Sequence, residues 1–314
     1  MSVPDLRRAA QRIDPLAPNP PGRYADDVVA VIRESPPQDR DPGGHDPGPA
    51  PIVRTEHFCL RRRGRRVEVG HWLRPGQLDN DLAGLLAEEL FAPGWLSGPD
   101  IFERVFTGVV RSCVDGPLTA WTTFYENTLA RIQECWQDPA TAHDDHSSIA
   151  GFAPVYRRTL DLVEAGTVLD MGSCFGFLPL MLARRPGHTV IASDLSRGTM
   201  RLLGAVAEAL GQHLSTLACD ASRVPLPDAS VDTVTVIHVL EHLDPQHGDA
   251  VLDEALRLAR RRVVVAVPYE DEPTSAYGHI QCFDEKQLHR LGRRTGRPFT
   301  ASSYHGGWLV LDAG

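Results

Sequence analysis

From about Ser148 to the C-terminus, the apolar positions switch repeatedly between a helical period and short continuous runs. A helix-period stretch over Ser148–Glu164 leads into the apolar run Thr167–Met171, and a glycine-containing turn then opens a helix reaching about Arg185. The series continues as strand Thr189–Ser193, helix Arg197–Leu210, strands Ser215–Ala218 and Thr233–His238, helix Gly248–Arg260 and strand Arg262–Val267. Strands alternating with helices predict βαβ units and a parallel sheet. At the end, FTASSYHGGWLVLD holds two strand-like runs around Gly306–Gly307, which predicts an antiparallel hairpin closing the sheet edge.

Upstream the pattern is different. Val53–Leu60 and Arg66–Leu73 are strand-like runs joined by RRRGRR, a hairpin with Gly64 at its turn. That arginine cluster reads either as a phosphate site or as a solvated hairpin tip. Asn80–Phe91, Asp100–Arg111 and Leu118–Trp136 carry apolar residues at helical spacing, with Pro99, Asp100 and Pro117 as start signals. Phe102, Phe106, Trp121, Phe124, Tyr125 and Trp136 sit at near-helical intervals, as core or as the lining of an acceptor pocket. Ten of the 25 prolines fall in the first 50 residues. Pro36–Pro51 is almost all proline, glycine and charge, too poor in apolar surface to offset its ordering entropy. A short helix is expected over Asp26–Glu34. The chain therefore divides into a disordered Pro-rich arm (1–51), a hairpin-and-helix cap on the acceptor side (52–147) and a C-terminal α/β domain (148–314). On this reading, removing residues 1–50 leaves the fold and ligand binding intact.

Composition narrows the function classes. The 314 residues include 41 acidic and 32 basic side chains, for a net charge of -9. That balance disfavours a non-specific nucleic-acid binder, which needs clustered Lys and Arg. No apolar run approaches the roughly 18 residues of a membrane span, and MSVPDLRRAAQRIDP lacks the apolar stretch of a secretory signal. The six cysteines form no C-x-x-C pair, so they read as reduced thiols in a cytoplasmic protein. His143 and His146, in HDDH, have the look of a metal pair without a third ligand, and a polar connector is the plainer reading.

The chemistry concentrates at the ends of the strands. In TVLDMGSCFGF a strand ends at Asp170 and meets a turn holding Gly172, Cys174 and Gly176. Glycine lets backbone approach a ligand, and the next helix offers free N–H groups. A P-loop is disfavoured because no G-K-[ST] follows. Asp194 closes the second strand, where a carboxylate can accept both ribose hydroxyls of an adenosine or, more plainly, cap the next helix. Asp220 follows the third strand, where it can meet an adenine amino group. Asp232 opens the fourth strand, which ends at His238. His238 also reads as a satisfied core histidine, and Glu241 and His242 as structural flanks of a helix.

Taken in order, these pieces resemble the class I S-adenosylmethionine-dependent methyltransferases over about Ser148–Gly314. The resemblance implies a Rossmann-like α/β fold, with helices on both faces of a mostly parallel sheet. It also implies S-adenosylmethionine as donor and S-adenosylhomocysteine as product. By resemblance, Asp170, Gly172, Cys174 and Gly176 form the turn at the methionine portion, with Cys174 replacing the middle glycine of the family pattern. Asp194 with Leu195 would hold the ribose, Asp220 with Ala221 the adenine, and His238 would lie near the transferred methyl. HWLRPGQLDNDLAGLLAEELF, GPDIFERVFTGVVRS, WTTFYENTL, EDEPTSAYGHIQCFD and HGGWLVLD extend the match toward the mycofactocin oligosaccharide methyltransferases, from about Arg54 on. That resemblance implies a small glycosylated acceptor methylated on a glucose hydroxyl, with no nucleic-acid or membrane partner.

A sugar hydroxyl is a weak acid, so its methylation calls for a general base. His279, in the loop after the fifth strand, is the first candidate and His238 the second; His242 shares their sheet edge. Glu270, Asp271 and Glu272 are there too, as sugar ligands, a base or a solvated loop. No metal ligand set is assigned, and oligomeric state is left open. Three other readings compete: a methyltransferase for a small aromatic or quinone hydroxyl, a non-catalytic adenosine-binding protein, and an NAD dehydrogenase, which the fourth-strand pattern disfavours.

Overall fold

A computed structural model describes residues 13–36, 51–64, 66–138, 147–273 and 278–314. His143, His146 and most of the Pro36–Pro51 stretch lie outside the described residues. The chain separates into two compact units, Met1–Glu134 with Ala140–Ile149, and Cys135–Pro139 with Ala150–Gly314.

The first unit is built on a sheet of β1 (Arg23–Ala25), β2 (Val29–Arg33), β3 (Val53–Arg54), β4 (Phe58–Arg63) and β5 (Arg66–His71), in the spatial order β1-β2-β5-β4-β3. β4 and β5 form the expected hairpin, with Gly64 left-handed at φ 62°. The run read as one strand, Val53–Leu60, is two: the Thr55 hydroxyl accepts the Phe58 N–H at 3.1 Å and turns the chain between them. Arg61 is buried and forms an ion pair with Glu34, while Arg62 and Arg63 are exposed at the tip. Three helical segments follow. α1 (Leu82–Leu86) runs on as a π-helical turn over Ala87–Phe91, and α2 (Pro99–Cys113) and α3 (Pro117–Gln137) come next.

Two sequence expectations fail here. The helix over Asp26–Glu34 is strand, and the disorder expected through residue 51 does not extend to residues 13–36. The physical reason is the β-branched run Val28, Val29, Val31 and Ile32, which favours extended backbone. β2 pairs in parallel with β5 from Val29↔Val67 to Arg33↔His71. Its inward face meets α2 so closely that a Cβ on Gly108 would lie 2.3 Å from Val31 Cγ2. Asp26 starts the strand by accepting the N–H groups of Val28 and Val29, both at 2.8 Å, and pairs with buried Arg104 at 2.6 Å.

The second unit is the alternating α/β domain. After α4 (Ser148–Leu162) come β6 (Gly166–Met171), α5 (Phe177–Ala183), β7 (His188–Asp194), α6 (Arg197–Ala209), β8 (Leu214–Ala218), β9 (Val231–Ile237), α7 (Pro245–Leu258), β10 (Ala259–Val267), α8 (Glu285–Arg294), β11 (Phe299–Ser303) and β12 (Gly307–Asp312). The sheet order is β11-β12-β10-β9-β6-β7-β8. The five strands from β10 to β8 are parallel, and the C-terminal hairpin lies antiparallel on β10, as the sequence pattern predicts. Val168, Leu169, Val234, Val236, Val263, Val264 and Val265 are fully buried or nearly so, which explains their continuous apolar runs. The chain leaves β6 toward β7 on one side and returns to β9 on the other. That reversal opens a crevice at the carboxyl ends of β6 and β9, where open α/β sheets take their ligands.

A chain lacking residues 1–50 should lose cooperative melting of the N-terminal unit, because it lacks β1 and β2. Thermal unfolding followed by circular dichroism and limited proteolysis of residues 51–134 checks this. Gly108→Val in the full chain should destabilise by about 1–3 kcal/mol through overpacking against Val31.

Candidate active site

The turn between β6 and α5 is fastened to β7. The N–H groups of Gly172 and Ser173 both donate to the Ser193 carbonyl, at 2.9 and 2.8 Å. The next N–H, that of Cys174, donates to Asp194 Oδ2 at 3.0 Å. Gly172, Cys174 and Gly176 all have positive φ, at 74°, 50° and 80°. Added Cβ atoms would strike Val239 at 2.5 Å from Gly172 and Leu203 at 2.4 Å from Gly176. Both glycines are therefore required twice over, by backbone and by space. Cys174 holds a left-handed conformation with a side chain, and its bond to Asp194 helps keep it there.

Asp170 lies beneath the turn, buried at the end of β6. Thr235 donates to its Oδ1 at 2.6 Å, and its carbonyl accepts the Ser173 and Ser193 hydroxyls at 3.0 and 3.1 Å. Burial pushes its carboxyl up to about 6, against the lowering effect of the Thr235 and Ser173 hydrogen bonds. Asp194 also takes the Ser196 N–H on Oδ1 at 2.8 Å, so each carboxylate oxygen accepts one N–H. Ser196, not Asp194, caps α6, accepting the Thr199 N–H at 3.2 Å. Asp220 Oδ1 gathers the N–H and hydroxyl of Ser222, each at 2.8 Å, and His247 Nε2 at 3.1 Å. These bonds, the Ser222 N–H foremost, hold the Asp220 carboxyl below the usual carboxylate range.

A cavity of about 310 Å³ opens at the carboxyl ends of the strands. Its lining includes Gly172, Cys174, Asp194, Leu195, Asp220, Ala221 and His238, with His242 and His247 beside them. Asp170 and Gly176 stand behind the turn, and His279 is outside the lining. A larger cavity, about 520 Å³, sits at the opposite end of the sheet, among Asp232, Arg260, Arg261 and Arg262. Those groups are structural: Asp232 Oδ2 accepts the Thr167 N–H at 2.8 Å, and Oδ1 faces Arg260 at 3.4 Å. The smaller cavity lies at the end of an open α/β sheet that takes ligands.

His238 directly follows β9 with φ 54°, its own N–H bound to the Ala266 carbonyl at 2.9 Å. Its Nδ1 lies 3.1 Å from Glu241 Oε1, and among the described residues its buried Nε2 has no hydrogen-bond partner. Phe152 of α4 packs on the ring at 5.0 Å between centroids. His279 Nδ1 meets Glu270 Oε2 at 2.8 Å, and its ring is edge-on to His242 at 4.9 Å. Sequence reading missed Phe152, Ser193, Val239 and His247. The partners of Asp220 and Gly172 lie 27 and 67 residues away, beyond the reach of any local pattern.

The family model described as a methyltransferase domain matches residues 168–262. A demethylmenaquinone methyltransferase of Thermus thermophilus is 29% identical over 154 residues, covering 47% of this chain and 69% of that enzyme. A ubiquinone/menaquinone biosynthesis C-methyltransferase of Paraburkholderia phymatum is 34% identical over 95 residues, or 30% of this chain and 38% of that one. Among solved structures, a magnesium protoporphyrin IX methyltransferase of Synechocystis with bound SAH aligns at TM-score 0.42 and 16% identity, over 59% of this chain and 98% of that one.

Asp170 makes stability depend on pH in a definite direction. Its folded carboxyl titrates near 6, above the roughly 3.9 of an unfolded aspartate. The fold therefore binds the proton more tightly than the unfolded chain does. The penalty for ionising Asp170 grows as pH rises through about 4 to 6 and is complete above that window. Asp170→Asn should remove this slope. The difference in Tm between variant and wild type, measured from pH 4.5 to 7, should shift in favour of the variant as pH rises.

Proposed function

We propose that this S-adenosylmethionine-dependent methyltransferase methylates a glucose hydroxyl of the mycofactocin oligosaccharide, with His238 as general base. The cavity that gathers Gly172, Cys174, Asp194, Leu195, Asp220, Ala221 and His238 carries the donor half of this reading. The sugar acceptor rests on the resemblance of the N-terminal and loop segments to the mycofactocin methyltransferases.

The residues present fit the donor. Each Asp194 oxygen has accepted one N–H and keeps a lone-pair direction for a ribose hydroxyl. Asp220 concentrates its contacts on Oδ1, which leaves Oδ2 for an adenine amino group. Leu195 is 79% exposed and offers an aliphatic face to a purine. Bound S-adenosylmethionine supplies an electrophilic methyl on a sulfonium.

The remaining work falls to the chain. The fastened turn fixes the donor pocket before binding, so little ordering is left to be done. Among the described residues the Nε2 of His238 is buried without a hydrogen-bond partner, so it is the ring nitrogen left to meet an acceptor hydroxyl. An oriented base whose free nitrogen is buried at a cavity is placed to accept a hydroxyl proton. This ranks His238 ahead of His279, the first candidate from sequence, since His279 is absent from the lining and pairs with Glu270.

A second reading, a small quinone acceptor, is favoured by the similarity to a demethylmenaquinone methyltransferase and a ubiquinone/menaquinone biosynthesis C-methyltransferase. One assay separates the two. Protein and S-adenosylmethionine are incubated with glycosylated mycofactocin or with a demethylated quinone, and products are read by mass spectrometry. One added methyl on the sugar supports the first reading; methylation of the quinone alone replaces it with the second. Asp194→Ala should abolish the rise in Tm given by S-adenosylhomocysteine. His238→Ala should keep that rise and lower kcat by about 10²–10⁴-fold.

A further inference from the structure

We propose that Glu241, His242 and His279 form a binding site for one divalent transition-metal ion, of the Zn²⁺ class, at the edge of the donor cavity. One ligand atom from each residue lies within 4.8 Å of the other two. Two histidines and a carboxylate are a donor set for such ions that leaves coordination positions open for substrate.

The independent observation is Glu241. Its side chain is fully buried, and among the described residues neither carboxylate oxygen accepts a hydrogen bond. His238 Nδ1 approaches Oε1 at 3.1 Å but without hydrogen-bond alignment. A buried carboxylate left this way is costly, and protein interiors almost always supply a cation or donors. A divalent ion between Glu241 and the two imidazoles would satisfy it.

The histidines are set up as ligands. His279 Nδ1 faces Glu270 Oε2 at 2.8 Å, and His242 Nδ1 faces the Gly278 carbonyl at 3.3 Å. Carboxylate and carbonyl oxygens only accept, so Nδ1 is the donor in both contacts, and in the neutral ring that tautomer makes Nε2 the ligating nitrogen. Metal-bound histidines commonly have such an oxygen behind the ring. The two halves of the site are also tied together. The Glu241 carbonyl accepts the Ile280 and Gln281 N–H groups at 2.9 and 3.3 Å, and Gln281 Nε2 donates to the Leu240 and Leu243 carbonyls, both at 2.8 Å. Ligands of a tetrahedral zinc stand about 3.4 Å apart, given bonds near 2.1 Å, so closure needs side-chain movement of up to about 1.4 Å.

For catalysis the ion would coordinate the acceptor hydroxyl and make it more acidic, as it does bound water. That role rests on the methyltransferase reading above; the site itself does not. The test is calorimetric titration of the EDTA-treated, dialysed full chain with ZnCl₂, and visible spectra with Co²⁺. One equivalent should bind, with a Co²⁺ absorption typical of low coordination number. His242→Ala (exposed, and so safe for folding), His279→Ala and Glu241→Gln should each weaken Zn²⁺ binding at least 100-fold. Glu270→Gln should weaken it about 10–100-fold, and His289→Ala on α8 should leave it unchanged. Absence of saturable Zn²⁺ and Co²⁺ uptake, or uptake that survives the three ligand substitutions, overturns the proposal. Metal binding without transfer to either acceptor would keep the site and remove the acceptor reading; transfer without metal uptake would do the reverse.

Discussion

The cavity at the carboxyl ends of the strands depends on the three consecutive N–H groups that fasten the β6–α5 turn to β7. Gly172 and Ser173 share one carbonyl, and Cys174 reaches the Asp194 carboxylate. The arrangement forces left-handed backbone at Gly172, Cys174 and Gly176 and places Asp194 at the rim. A carboxylate that both holds the turn and faces the cavity couples the shape of the site to its chemistry. Loss of Asp194 would therefore loosen the strained turn that shapes the pocket, besides removing the ribose contact proposed for it.

Much of the second unit was legible because its signals are local. Parallel strands buried on both faces read as continuous apolar runs, and βα turns advertise themselves through glycine and a following helix. The placement of Asp170, Asp194, Asp220 and His238 follows from strand ends alone. Long-range contacts were not legible. The His247 contact to Asp220, Phe152 against His238 and Val239 over Gly172 join residues that no window contains. The isolation of Glu241 was equally hidden, because burial and an unfilled carboxylate are properties of the packed fold.

In the first unit, composition misled. The abundance of proline and glycine near residues 36–51 coloured the reading of everything before it. VVAVI is short, flanked by charge, and compatible with a helix on spacing alone. Its β-branched content decided the matter, supported by a partner strand more than thirty residues downstream. Gly108 shows the same dependence from the other side. Nothing in the sequence marks it, yet Val31 leaves no room there for a side chain.

The parallel pairing of β2 with β5 also bears on the order of assembly during synthesis. β2 is made early, but the edge it needs belongs to residues 66–71, and α2, which packs against Val31, is made later still. While the chain is growing, β1 and β2 can pair across their short loop and so can β4 and β5, but the second edge of β2 waits open for β5. Nascent chains of this protein would thus carry a β1–β2 hairpin with an open edge at Val29–Ile32 until at least residue 71 has left the ribosome, which makes it a natural place for a chaperone to hold.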